Sequence, residues 1–143
     1  MGDNRHAISL RDGTVSVNGV VIMEACKFKL SYKPEVASYK SLKDKGTNRR
    51  YVGRDITGSI EEYRSTSWLL DIARQYENEG TTPELTIQGT REDKDSDYYS
   101  IVGAETVTAT GCVLDGEISL LELDSEGNFV KDAITFGAKE AQF

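Results

Sequence analysis

The Cys and His side chains that could support nucleophilic or metal chemistry in this chain are His6, Cys26 and Cys112. A histidine-based triad needs its base held rigidly by a third group. His6 falls on what reads as a short mobile arm, residues 1–8, which offers no such support. Structural zinc needs several Cys and His ligands at short spacings, and the chain has no C-x-x-C pair. Both cysteines lie in strand-like text and read as reduced core or near-core residues, with a disulfide between them left open. Asp93, Asp95 and Asp97 alternate like the start of a calcium loop. Such a loop wants Gly at its sixth position and Glu at its twelfth, where this chain has Tyr98 and Ala104. The run therefore reads as a solvated hairpin loop. Glu61 and Glu62 are adjacent, and adjacent residues of a strand point to opposite faces, so they do not converge. Neither GxxxxGK[ST] nor GxGxxG occurs. The expectation is a protein that is not an enzyme and has no cofactor or metal.

Charge is the more informative property. The 143 residues carry 17 Lys and Arg against 24 Asp and Glu, a net charge of −7. A chain this acidic is poorly suited to grip a phosphate backbone. The distribution is uneven. Lys33, Lys40, Lys43, Lys45, Arg49, Arg50 and Arg54 share one segment with only Glu35 and Asp44. A basic segment on an acidic body is expected where copies of a chain meet; the plainer alternative is a solvated lysine-rich loop. No apolar run approaches the roughly 20 residues that span a bilayer, so membrane anchoring is not expected. The start, MGDNRHAIS, lacks an apolar signal region, and His6 breaks the myristoylation pattern.

These residues need a frame, and residues 51–89 supply its centre as strand, helix, strand. Ile56, Gly58 and Ile60 share one face by period two; Thr57, Ser59, Glu61 and Tyr63 share the other. One face is buried and one wet, and Gly58 marks a close approach on the buried side. A helix is expected over 66–79, with Ser65, Thr66 or Ser67 as N-cap. Leu69, Ile72, Ala73 and Tyr76 form its apolar stripe, flanked by Trp68. Gly80 suits its left-handed end, and Pro83 prevents resumption. Leu85 and Ile87 restart period two.

Upstream, Asn18-Gly19 predicts a type I′ hairpin turn. The following strand runs through Cys26, Phe28, Leu30 and Tyr32, with Lys27, Lys29, Ser31 and Lys33 on its opposite face, until Pro34 stops the pairing. Residues 33–50 then read as a long charged loop, a length usually functional or disordered. Downstream, Tyr99, Ile101 and Val102 open a strand that continues from 105 to 110 and on to Cys112 and Leu114. Asp115-Gly116 marks a turn, residues 124–128 a hairpin loop, and Phe129, Ala133, Ile134 and Phe136 a last strand. Residues 137–143 read as a tail. The chain is one domain, 1–143, mainly β with one α-helix packed on sheet.

Taken in order, the DGTVSVNG hairpin, the KFKLSYK strand and the charged loop come first. The run YVGRDITGSIEEYRSTSWLLDIARQYENEGTTPELTIQG and the closing DAITFGAKEAQF follow. This order and spacing resembles the tail tube proteins of contractile-tailed phages and of phage-like particles such as defective prophages and bacteriocins, over roughly residues 9–143. The resemblance implies a β-sandwich or barrel-like fold of two packed antiparallel sheets flanked by a helix. It implies homohexameric rings that stack into a hollow tube for DNA delivery or membrane puncture. It implies no cofactor and no catalysis. The implied partners are further copies of the chain, a tail sheath, a baseplate initiator and a tape-measure protein, with DNA passing through unbound in a true phage. The implied setting is a virion tail or phage-like particle assembled in the bacterial cytoplasm.

On this reading the long loop packs between rings, with Lys40, Lys43, Lys45, Arg49, Arg50 and Arg54 as contacts. Gly53, Ile56, Thr57, Gly58 and Ser59 belong to a tube-wall strand whose polar members lie nearer the lumen. Trp68, Leu69, Ile72, Ala73 and Tyr76 pack the helix. The stretches 115–123 and 124–128 look longer than in those relatives. Two other readings remain: the tube of a type VI-like secretion or injection system, and a monomeric β-sandwich serving as a binding or adaptor module.

Overall fold

The computed structural model describes residues 13–22, 24–43, 45–64, 67–92, 94–96, 99–127 and 129–143. The arm at 1–8 with His6, the caps Ser65 and Thr66, and Asp44, Asp93, Asp97 and Tyr98 lie outside these residues.

The first hairpin joins β1 (Gly13–Val17) to β2 (Val20–Val21), with Val17 opposite Val20. Asn18 and Gly19 both have positive φ, 51° and 83°, as a type I′ turn requires. The next two strands are much longer: β3 (Ala25–Tyr39) and β4 (Asn48–Tyr63), antiparallel along their whole length. The long loop expected over 33–50 is therefore a two-stranded arm, and only residues 40–47 connect its strands. Pro34 does not stop the pairing; it lies opposite Arg54. β3 pairs with β4 alone, and an edge strand accommodates proline because alternate N–H groups point away from the partner.

Helix α1 (Trp68–Glu79) starts after Ser67, which makes no side-chain cap bond, and ends at Gly80 with φ 72°. Strands β5 (Leu85–Arg91), β6 (Glu105–Leu114), β7 (Lys131–Ala138) and β8 (Glu140–Gln142) complete the sheet, in the order β2-β1-β5-β6-β7-β4-β3 with β8 on β6. β6 joins two halves: residues 105–112 pair with β5, and Val113 and Leu114 pair with β7. Their inner faces share one core in which Ile60, Ile87, Ala109, Cys112 and Phe136 are fully buried.

Two glycines set how closely the layers approach. A Cβ on Gly58 would lie 2.4 Å from Phe136 Cζ and 2.8 Å from the Lys29 carbonyl oxygen. The close approach read from the sequence is thus made by the neighbouring strands. A Cβ on Gly89 of β5 would lie 2.4 Å from the Phe28 ring of β3, so this bare backbone lets the free end of one half close over the other.

Other expectations change. Cys26 is exposed, because β3 bulges between Ala25 and Lys27 and the extra residue leaves the ladder. Tyr99, Ile101 and Val102 form not a strand but a single helical turn, α2 (Tyr99–Val102), closed by the Gly103 N–H donating to the Tyr99 carbonyl at 2.7 Å. The tail contains β8, with Ala141 opposite Ala109. In β7 the buried set is Asp132, Ile134 and Phe136, while Ala133 faces out and Phe129 precedes the strand, exposed.

Candidate assembly surfaces

Three features could carry function: the arm, the wet face of the β3-β4-β7 sheet, and a buried polar knot where β4 enters the helix.

From Asn48 to Asp55 the strand β4 has only β3 beside it, so the arm is a two-stranded ladder. Val36, Ala37, Ser38 and Tyr39 lie opposite Tyr51, Arg50, Arg49 and Asn48. Val52 is the extra residue of a second irregularity, between Glu35 and Val36. Val36, Tyr39, Leu42, Tyr51 and Val52 are all exposed, Leu42 fully. Lys40, Lys43, Lys45, Arg49 and Arg50 are exposed beside them. Among the described residues none of these five cations carries an ion pair. Arg54 differs: its Nη1 donates to the Lys139 carbonyl at 3.1 Å, tying the base of the arm to the link before β8. Gly53 lies opposite Glu35 in the same region, where a Cβ would meet the Glu35 carboxylate at 2.8 Å.

The wet face follows from period two. Lys29, Ser59 and Thr135 sit side by side across β3, β4 and β7, as do Ser31, Thr57 and Gly137. Thr57 and Ser59 thus reach this face as expected, while Ile56, 2 % exposed, and Gly58 point to the core side. Lys27 and Glu61 close an ion pair of 3.4 Å here, and Lys33 lies opposite Asp55. The face is nearly neutral, with Lys27, Lys29, Lys33 and Lys131 against Glu35, Asp55 and Glu61. The acidity of the body therefore resides elsewhere.

The polar knot escaped the sequence reading. Glu62, 4 % exposed, and Asp132, 5 % exposed, lie opposite one another on β4 and β7. Arg64 meets Asp132 with two bonds: Nε donates to Oδ2 at 2.9 Å and Nη2 to Oδ1 at 2.8 Å. Nη2 also donates to the Ser119 carbonyl at 2.6 Å. The Trp68 indole N–H donates to Glu62 Oε1 at 2.8 Å. Burial pushes the Glu62 carboxyl above its usual range; the indole bond opposes this, the facing Asp132 reinforces it, and Arg64 opposes it. The same Asp132 bonds hold Arg64 more firmly charged. A signal was available: continuing the alternation of Ile56, Gly58 and Ile60 places Glu62 on the buried face.

This knot seats the first turn of α1. Leu69 is 2 % exposed, and Trp68 and Ile72 pack against the core. Ala73 is half-buried. Tyr76 is 53 % exposed, so the far half of the predicted stripe leaves the body.

Comparison with known proteins gives this architecture a context. No curated protein sequence matches the chain. Among solved structures, a chain of the sheath–tube complex of an extracellular contractile injection system, PVC, in its extended state has a TM-score of 0.70 at 10 % identity, covering 99 % of this chain and 97 % of that one. A chain of the tube-terminating cap of the anti-feeding prophage has a TM-score of 0.74 at 8 % identity, covering 96 % and 90 %. A chain of the virion of a native gene transfer agent has a TM-score of 0.59 at 16 % identity, covering 94 % and 95 %. At such identities these similarities establish the fold. A family model described as phage tail tube protein matches residues 2–141. With nearly the whole chain matched, the protein belongs to the phage tail tube protein family and is a structural subunit of a tail tube.

Proposed function

We propose that this subunit builds six-membered rings that stack into the hollow tube of a contractile phage tail or phage-like injection particle, and that the β3–β4 arm forms the contact between rings. The observation carrying this reading is the arm itself. It extends beyond the core with both faces solvated, and it exposes Val36, Tyr39, Leu42, Tyr51 and Val52 next to five cations that carry no ion pair among the described residues. Soluble monomers rarely carry contiguous apolar surface of this kind, and a long open strand edge invites pairing with another chain. The free edge of β3 supports strand-to-strand joining within a ring.

The wet face of Lys29, Ser31, Thr57, Ser59 and Thr135 is the candidate lumen lining. Its small polar side chains and near-neutral charge give DNA little to bind, because non-specific affinity comes from Lys and Arg at phosphates. The similarity to chains of sheath–tube, baseplate and cap structures supports a sheath around the tube and a baseplate from which it starts. Assembly in the host cytoplasm before release belongs to the same reading. The subunit acts as wall, not catalyst, and the tube encloses a tape-measure protein or DNA without a cofactor.

Negative-stain electron microscopy of the purified full-length chain, before and after concentration at low and high salt, tests this. Six-fold rings or tubes are the expected result. Tubes that form with unchanged salt sensitivity after Lys40→Glu, Lys43→Glu and Lys45→Glu would remove the arm from the ring contact. Rings of another symmetry would remove the hexamer.

A further inference from the structure

We propose that the loop at 115–130 is the acceptor for the arm of another copy of this chain, so that subunits join head to tail along the direction of β4. The inference rests on the inter-ring role of the arm given above and names the surface that the arm meets.

The loop exposes side chains that a free surface does not favour. Leu120, Leu121, Leu123 and Phe129 are 68 %, 79 %, 87 % and 83 % exposed. Within the loop the charge is of one sign, Asp115, Glu117, Glu122, Asp124 and Glu126 with no Lys or Arg from 115 to 130; the flanking cations are engaged, Arg64 with Asp132 and Lys131 over the Tyr63 ring. The arm offers the complement, exposed Tyr39, Leu42 and Tyr51 among Lys40, Lys43, Lys45, Arg49 and Arg50, which carry no ion pair among the described residues. Apolar contact would supply the affinity, and opposite charge would fix orientation and partner choice.

The loop is also held for docking. Arg64 Nη2 anchors the Ser119 carbonyl, and the Arg64 N–H donates to the Val130 carbonyl at 2.8 Å. Phe129 sets its edge against Tyr63 with centroids 6.3 Å apart. Between these anchors the Gly127 N–H donates to the Asp124 carbonyl, and Asp124 Oδ1 accepts from the Glu126 N–H.

Position selects the occupant. The anchors Tyr63 and Arg64 stand at one end of β4, and the arm tip begins at its other end, Asn48. Sixteen residues of strand separate them by roughly 50 Å. A subunit cannot place its own arm on its own loop. Two unlike patches at opposite ends of one chain make a heterologous contact, which propagates into an open stack when the rotation between copies does not close a ring.

The test is disulfide trapping in the full-length chain. Cys26→Ser removes the exposed thiol, while Cys112 is buried and inert. Leu42→Cys and Leu121→Cys are then added together and singly, followed by mild oxidation. The expected result is a ladder of dimers, trimers and larger species that needs both new cysteines. Reversal of Glu122, Asp124 and Glu126 to Lys should weaken the ladder at least about tenfold, since like charges then face one another. Adding Lys40→Glu, Lys43→Glu and Lys45→Glu to that variant should restore it. Cross-linking absent from the double-cysteine chain, or equally strong with either cysteine alone, overturns the proposal. Microscopy of the same variants separates the two readings. Tubes from the loop-reversed chain and none from the arm-reversed chain would remove this acceptor and leave the arm in place. Normal tubes from both would remove both. Unchanged thermal unfolding midpoints exclude misfolding as the cause.

Discussion

β4 passes through two environments without a break in its pairing. From Ile56 to Tyr63 it lies between β3 and β7, and its inner residues Ile56, Ile60 and Glu62 are buried. From Asn48 to Asp55 it has only β3 beside it, and no residue is buried. The ladder to β3 runs through both halves, and the inner half alone adds a second ladder, to β7. The inner half is held by side chains, because deleting buried groups costs kilocalories. The outer half is held by its ladder and by Arg54 on the Lys139 carbonyl. The strand thus has one end clamped in the core and the other standing clear of it. Mutations in the two halves should separate stability from assembly.

The largest expected effect is at the clamped end. Arg64→Ala leaves the Asp132 carboxylate, whose side chain is 4 % exposed, without its two-pronged partner and releases the Ser119 carbonyl. Breaking a buried pair from one side is far costlier than the pair is worth. The expected loss is about 3 kcal/mol, the lower end of the range because the arginine retains some exposure. Urea unfolding of the disassembled subunit checks it. A loss below about 0.5 kcal/mol, the size of an ordinary surface substitution, would show that β4 is not clamped through this knot.

A smaller effect is expected at Glu62, and its sign depends on pH. Burial raises the folded-state pKa of this carboxyl above its unfolded value. The folded protein therefore keeps the proton to higher pH than the unfolded chain does. The favourable contribution is fully present below the unfolded pKa and is lost as pH rises through the folded value. Glu62→Gln keeps an oxygen for the Trp68 N–H and removes the charge facing Asp132. The variant should match the wild type near pH 4 and become the more stable of the two as pH approaches neutrality. Thermal midpoints across that interval read the difference. A variant less stable than wild type at pH 7 would mean that Arg64 neutralises both carboxylates.

These two ends were unequally legible in the sequence. The clamped end announces itself through period two: Ile56, Gly58 and Ile60 against Thr57 and Ser59 gave the faces, and Gly80 the helix stop. The arm carries no such mark. Both of its faces are wet, so no alternation distinguishes paired strand from loop, and Pro34 argued against pairing where an edge strand tolerates it. Cys26 sat in apparent register with Phe28 and Leu30, and a bulge moves a residue out of register without altering the alternation around it. β8 is three residues long and depends on β6 for its pairing, a contact distant in sequence. The basic character of the arm was legible in the sequence, since seven basic residues cluster in the segment that forms it. The exposed leucines of the 115–123 stretch were not, because they look like core leucines until the chain is folded.

The smallest effect on the fold, and a large one on assembly, is expected at the free end. Val36→Ser with Tyr51→Ser replaces one cross-strand pair of the arm, whose members are 48 % and 70 % exposed. Cross-strand pairs contribute at most about 1 kcal/mol, and this one lies outside the core, so the unfolding midpoint of the subunit should stay within about 0.5 kcal/mol of wild type. The same double substitution removes two of the apolar side chains that an adjoining copy would cover. The concentration at which tubes appear, followed by sedimentation, should rise about tenfold or more, the equivalent of roughly 1.4 kcal/mol at each contact. Equal shifts in folding and assembly would mean that the arm is part of the core's cooperative unit and that β4 has no free end. A change in assembly alone makes the arm an interface element that the body holds in place without depending on it.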